Sequence, residues 1–365
     1  MVATHLLNHG RYWSPTFQSE TEVWLLFGCC EAESMALRPP CAATTRMRVI
    51  AAPSGASAMR AVVGLALAAA TAAAAESPEW AYPPLLPLET PDATRFLDVP
   101  GSEMRLTQMQ IDDDFHAPDW HPREHPPMPS VVEFGRRPLV RACARCHLPD
   151  GSGHPESAGL AGLPVVYMLR QMAEMKEGLR AGGRSASMLP IARAATDAED
   201  RAAAAYFAAL KPRGARVVEA AVVPRSYVGQ GAMRFAEAAG ETEPIGQRII
   251  ELPEHEDLAK RRDSHNRFVA YVPPGSLAAG ELLATTGGAG RTVACASCHG
   301  PGLRGGISDI PGIAGLAPIY LYRQLSDFKT GSRHGAFSPL MAPTVAKLTP
   351  DDMLAISAYV ASCAP

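Results

Sequence analysis

The chain has 365 residues, with 34 Lys and Arg against 37 Asp and Glu, and a formal net charge of −3. It carries no basic patch of the kind nucleic-acid binding needs, so that class of partner is set aside. Of its eight cysteines, Cys29, Cys30 and Cys41 lie upstream; after them four fall into two tight pairs and only Cys363 is left, which excludes a disulfide framework in that part unless the upstream cysteines are retained.

Residues 1–58 show no hydrophobic period and read as a disordered or mis-assigned N-terminal extension. At Met59-Arg60 a basic start leads into an Ala/Val/Leu/Gly run that ends at Ala75, followed by Glu76-Ser77-Pro78. A basic start, a short apolar stretch and a small-residue exit make 59–75 a signal peptide cleaved near Ala75, with the periplasm as destination. The apolar run, at about 15 residues, is short of the roughly 20 that a membrane span needs. An uncleaved anchor is the alternative. The exported part carries 29 Lys/Arg against 33 Asp/Glu.

Residues 76–129 are rich in Pro and acidic groups, including Asp112-Asp113-Asp114, and predict an extended arm with little regular structure. His116, His121 and His125 cluster within it and could hold an extra metal, but no Cys or carboxylate geometry matches them, so a metal there is the lesser reading. Met128 is expected to pack against the first cofactor edge or simply fill core space.

Two pentapeptides then dominate the chain: Cys143-Ala144-Arg145-Cys146-His147 and Cys295-Ala296-Ser297-Cys298-His299. Cys-x-x-Cys-His is the attachment signature of c-type haem. Thiols three residues apart on one helical turn can each add to a vinyl group on the same porphyrin edge, and the adjacent imidazole then meets the iron. Two copies predict two covalently bound haem c groups.

The residues downstream of the two motifs match at a shift of 153. Gly162-Leu163 answers to Gly315-Leu316, Tyr167 to Tyr320, Arg170-Gln171 to Arg323-Gln324, Arg180 to Arg333, Met188 to Met341, Pro190 to Pro343 and Tyr206 to Tyr359. Duplication of a small helical unit explains this and sets two like domains, 130–212 and 276–365. Each unit predicts a short helix around the motif, a Gly-rich loop, an amphipathic helix (165–177 and 318–330), a non-helical segment delivering a Met, and a closing helix. Thr196-Asp197-Ala198-Glu199 and Thr349-Pro350-Asp351-Asp352 are start signals for the closing helices. Residues 213–275 fall outside the repeat. Their short β-type runs, such as 216–218 and 267–272, predict a strand-containing insertion.

Each iron needs a second axial ligand from the opposite face. Met188 and Met341 occupy matching Met-x-Pro contexts, 41 residues after His147 and 42 after His299. They are therefore the expected sixth ligands, making His147, Met188, His299 and Met341 the iron ligand set. A thioether favours ferrous iron and raises the potential relative to a second imidazole. Met168, Met172 and Met175 follow helical spacing and read as core. Tyr167 with Arg170, and Tyr320 with Arg323, stand at i and i+3 on the amphipathic helices; they are expected to pack on porphyrin or face a propionate, or else to be ordinary residues of an amphipathic helix. Arg145 and Ser297, inside the motifs, receive no role.

With these residues placed, the chain resembles the two-haem class I cytochromes c of the c-four type. The resemblance rests on Cys143, Cys146, His147 and Met188, on Cys295, Cys298, His299 and Met341, and on the segments 159–164 and 312–316. It implies a mainly α fold of two tandem class I cytochrome c domains and a periplasm-facing electron carrier. The arm and the 213–275 insertion depart from the family. The expected function is dihaem electron transfer between redox partners such as a dehydrogenase or a terminal oxidase. A fixed subunit of a periplasmic or membrane-associated dehydrogenase or oxidase complex is the alternative. A dihaem peroxidase-like enzyme is the third reading, disfavoured because the two Met contexts are nearly identical.

Overall fold

In the computed structural model residues 78–86, 94–306 and 309–365 are described. The expected extension at 1–58 and signal peptide at 59–75 lie outside the described residues. Among the described residues no helix is long and apolar enough to cross a membrane.

The arm is more ordered than its composition predicts. Strands β1 (Phe96–Leu97) and β2 (Leu106–Thr107) pair antiparallel, and the one-turn helix α1 (Gln108–Ile111) comes directly after. Thr107 and Gln110 make a reciprocal capping box that satisfies two of the helix's orphan donors. Val99, Ile111 and Trp120 form a small buried cluster with Leu258 of the insertion. The scattered apolar residues of a Pro-rich stretch thus find a shared partner far away in sequence, which composition does not reveal.

The first repeat contains α2 (Ser130–Glu133), α3 (Ala144–His147), α4 (Val165–Lys176), α5 (Met188–Ala194) and α6 (Asp197–Ala208). Thr196 and Glu199 form the capping box that opens α6. Val132, Tyr167, Met168 and Phe207 are central to its core, with Met128 and Met172 packed on the edge.

The insertion supplies β3 (Arg216–Glu219), β4 (Val222–Pro224), β5 (Ser226–Val228), β6 (Arg234–Ala236), β7 (Thr242–Pro244), β8 (Ile250–Pro253), α7 (Glu256–Lys260) and β9 (Phe268–Val272). β9 is central to a three-stranded sheet, parallel to β3 and antiparallel to β8. β4–β7 and β5–β6 are two-stranded antiparallel ribbons.

The second repeat contains α8 (Ser276–Thr286), α9 (Ala296–His299), α10 (Pro318–Thr330), α11 (Ser338–Val345) and α12 (Pro350–Ser362). Helices α8 and α12 cross so closely that a Cβ at Gly280 would run into the Ala355 carbonyl and lie 2.7 Å from Tyr359 Cβ. Only a residue without a side chain permits that approach. α12 starts at a Thr349/Asp352 capping box with Pro350 at its first position.

The segments delivering the two Met residues are helical, contrary to the non-helical expectation. Met188 is the first residue of α5, and Met341 lies within α11. Pro190 and Pro339 sit in the first turns of these helices, where their missing N–H groups would be orphans in any case. Pro343 is the exception. It lies inside α11 and removes one internal hydrogen bond, a loss the short helix accommodates.

The two repeats meet through their central turns. Arg180 and Arg333 form an antiparallel bridge, with Ala181 N–H donating to Ser332 O at 3.0 Å and His334 N–H to Leu179 O at 2.8 Å.

Candidate haem centres

Each motif forms a single helical turn, α3 or α9, so its two thiols and the following imidazole are held in one local frame. His147 Nδ1 lies 2.8 Å from the Ala158 carbonyl, and His299 Nδ1 lies 2.9 Å from the Pro311 carbonyl. The carbonyl accepts a hydrogen bond from Nδ1–H, which fixes the tautomer and leaves Nε2 with its lone pair as the available ligand. Protein packed around both rings pushes their pKa values down, keeping the imidazoles neutral. Sequence reasoning missed these two carbonyls, because a backbone acceptor carries no residue signature.

Cys143, Cys146 and Cys295 are partly buried, whereas Cys298 is exposed. Burial, reinforced by Asp200 and Cys146, pushes Cys143 up to about 12. Burial pushes Cys295 up to about 11, and Cys146 is raised by the same cause.

In the second repeat a cleft is bounded by Cys295, Cys298, His299, Met341 and Leu348. Leu163, Tyr167, Arg170 and Gln171 of the first repeat close its far side. The expected ligand Met341 therefore shares a cleft with its motif. Met188 is half-buried at the start of α5, which packs on α4. An apolar slot over paired thiols, with a neutral imidazole offering Nε2 and a thioether on the wall, fits a covalently attached haem. When bound, that group supplies a one-electron couple.

Tyr167 and Tyr320 stand at the seam between repeats, inside a reciprocal network. Arg180 donates to Gln171 Oε1 at 3.0 Å, Gln324 Oε1 at 2.9 Å and Tyr320 OH at 3.2 Å. Arg333 donates to Gln324 Oε1 at 2.9 Å, Gln171 Oε1 at 2.8 Å and Tyr167 OH at 3.3 Å. Both arginines are buried. Asp327 is the carboxylate beside them; burial raises it to about 6 against the pull of Arg180 and Arg333. The positive charge of the pair adjoins the second cleft, which Arg333 lines.

The two arginines expected to act alike do not. Arg170 pairs with Asp309 and lies over the Phe337 ring, 3.9 Å from its centroid, on the second cleft. Arg323 is turned away from a propionate role. Its guanidinium donates to the Ala81 and Pro155 carbonyls and to Glu156 Oε1 at 2.9 Å. Its position in the repeat is the same, but the N-terminal strap at 79–82 covers it. Arg145 is also more than a spacer: it is buried, within 3.4 Å of Asp112 Oδ1. Of the three arm histidines, His116 packs on Phe134, with ring centroids 5.0 Å apart, and His125 contacts Asp119 at 3.2 Å. His121 turns toward the insertion.

A family model described as cytochrome c matches residues 278–364. The thiosulfate dehydrogenase electron acceptor of Thiomonas intermedia (strain K12) is 27% identical over 230 residues, 62% of this chain and 80% of that protein. Cytochrome c4 of Stutzerimonas stutzeri is 26% identical over 225 residues, 60% of this chain and 84% of its own length. The solved thiosulfate dehydrogenase of Marichromatium purpuratum aligns with TM-score 0.42 at 29% identity, covering 61% of this chain and 37% of that one. With both attachment motifs in place, the protein is a dihaem c-type cytochrome, carrying two covalently bound haem c groups. Within that class it is similar to the tandem cytochromes c4, at 26% and 27% identity over 60% of this chain.

Proposed function

We propose that this protein works in the periplasm as the electron acceptor of a dehydrogenase and passes the electrons to a second redox partner. The observation that carries the reading is the pairing of two like motif-bearing repeats across one buried polar seam, with the cleft of one walled by a helix of the other. In this reading His147 and Met188 hold one iron, and His299 and Met341 hold the other. The Ala158 and Pro311 carbonyls orient the imidazoles, and the apolar walls exclude water. A rigid helical shell keeps reorganisation low. Two thioether-ligated irons leave no open position for substrate, which favours a carrier over a peroxidase.

Thiosulfate dehydrogenase is the partner proposed, because relatives matched over 80% and 83% of their length bear the name of its electron acceptor. The test mixes oxidised purified protein with catalytic amounts of a purified thiosulfate dehydrogenase and thiosulfate, and follows haem absorbance. Reduction that requires both enzyme and thiosulfate supports the reading. Haems that stay oxidised there, yet are reduced by dithionite, contradict it.

A fixed-subunit reading is favoured by one observation: the arm and insertion are packed on each other, with Trp120 Nε1 donating to Arg261 O at 2.8 Å. Such an ordered addition to a carrier suits a lasting docking surface. Co-elution with the dehydrogenase in salt would select this form of the same function, since exchange complexes are weak.

A further inference from the structure

Among the described residues, one cluster of metal-ligating side chains lies outside the haem centres and the seam. His121 of the arm faces Asp263 and His265 of the turn between α7 and β9. One ligand atom from each lies within 4.8 Å of the others. His121 Nε2 is 2.9 Å from Asp263 Oδ1, and these two side chains are only 4% and 1% exposed. Asp263 Oδ2 is buried with no hydrogen-bond partner. A buried carboxylate oxygen left so is costly unless a positive group answers it.

His265 is the accessible member. Its Nε2 lies 2.7 Å from Glu124 Oε2, which orients the ring and leaves Nδ1 as its other nitrogen. A carboxylate on the far nitrogen of an imidazole is the usual support for a metal-binding histidine.

We propose that His121, Asp263 and His265 form a site for a divalent transition metal of the zinc class, with Glu124 positioning His265. Two imidazoles and a carboxylate suit zinc, which takes nitrogen and oxygen donors and tolerates three protein ligands with a fourth position open. Calcium and magnesium prefer oxygen donors throughout and do not fit this set. The His121 and His265 rings are stacked, with centroids 3.6 Å apart and planes 9° from parallel. Binding therefore tilts His265 out of the stack, a movement its exposed side chain allows. The metal would tie the arm to the insertion, beside the Trp120–Arg261 contact. His121 and Asp263 are 142 residues apart in sequence, so no local motif announces them.

The test is titration of chelator-treated dihaem protein with Zn²⁺ alone, in competition with a chromophoric chelator. One equivalent is expected to bind at micromolar protein without changing the haem spectrum. Binding should be lost in His265→Ala and weakened about 10–100-fold in Glu124→Gln. No stoichiometric binding by the unaltered protein, or undiminished binding in His265→Ala, overturns the proposal. His265 and Glu124 are on the surface, so both variants should keep the haem spectrum and melting curve of the parent; the test does not depend on altering buried Asp263.

Discussion

Arg180 and Arg333, related by the 153-residue repeat, are bridged to each other through the backbone and donate to the same two glutamines from opposite sides. Duplication of one unit has thus produced an interface in which each residue meets its own counterpart's partners. Two buried guanidiniums beside the second cleft favour an electron on the neighbouring iron, because reduction adds negative charge there. Arg333→Gln is expected to lower that haem's potential by about 1–2 kcal/mol, roughly 45–90 mV for a one-electron couple. Spectroelectrochemical titration of the variant measures it, and an unchanged or higher potential contradicts the assignment.

The same network should behave as a unit in stability. Arg180→Gln and Arg333→Gln each leave buried oxygens short of a donor, at a cost of about 1–3 kcal/mol. Because both arginines share Gln171 and Gln324, the double variant should depart from additivity by at least ~0.5 kcal/mol in denaturant unfolding. Strict additivity would mean that the two halves of the network are independent.

Glu251 on β8 gives the fold a pH dependence. Its carboxylate accepts from Ile319 N–H at 2.8 Å, at the first turn of α10, and burial pushes its pKa from 4.5 up to about 7. Between those values the folded state holds the proton more tightly than the unfolded state. Its contribution is fully present below pH 4.5 and is lost as pH rises through about 7. Glu251→Gln keeps the acceptor and removes the titration. Its melting temperature should therefore fall less than the parent's between about pH 5 and about pH 8, and equal pH profiles would exclude the effect.

The crossing of α8 and α12 depends on Gly280. Gly280→Val places a branched side chain against the Ala355 carbonyl and Tyr359, and should destabilise the second repeat by about 1–3 kcal/mol or more. Thermal unfolding followed at the haem band measures the loss; a variant as stable as the parent would show that the helices can separate without cost.

Much of the fold could be read in the sequence because its signals are local. The motifs, the capping residues Thr196 and Thr349, and the period of 165–177 and 318–330 each lie within a few turns of chain. The matched shift of 153 then ties Tyr167 to Tyr320 and Arg180 to Arg333. The features that stayed hidden depend on distant chain. Arg323 differs from Arg170 because Ala81, Pro155 and Glu156 reach the one and Asp309 and Phe337 the other, and the arm is ordered because Trp120 finds Leu258 and Arg261. The Met-bearing segments, expected to be non-helical, are helices that accommodate their prolines. Pro190 falls in a first turn, where proline costs a helix little, and Pro343 is carried inside α11 because packing on α10 outweighs one missing hydrogen bond.

His/Met ligation of two irons is tested most directly by a redox titration of the purified oxidised protein, monitored across the haem bands and the weak near-infrared sulfur-to-iron band. Two one-electron steps are expected, with that band present for both haems. In Met341→His the band should be lost for the second haem, whose potential should fall because imidazole favours ferric iron more than thioether does. A high-spin haem in the resting protein, a sulfur-to-iron band for only one haem, or a second haem unchanged in Met341→His would contradict this ligation.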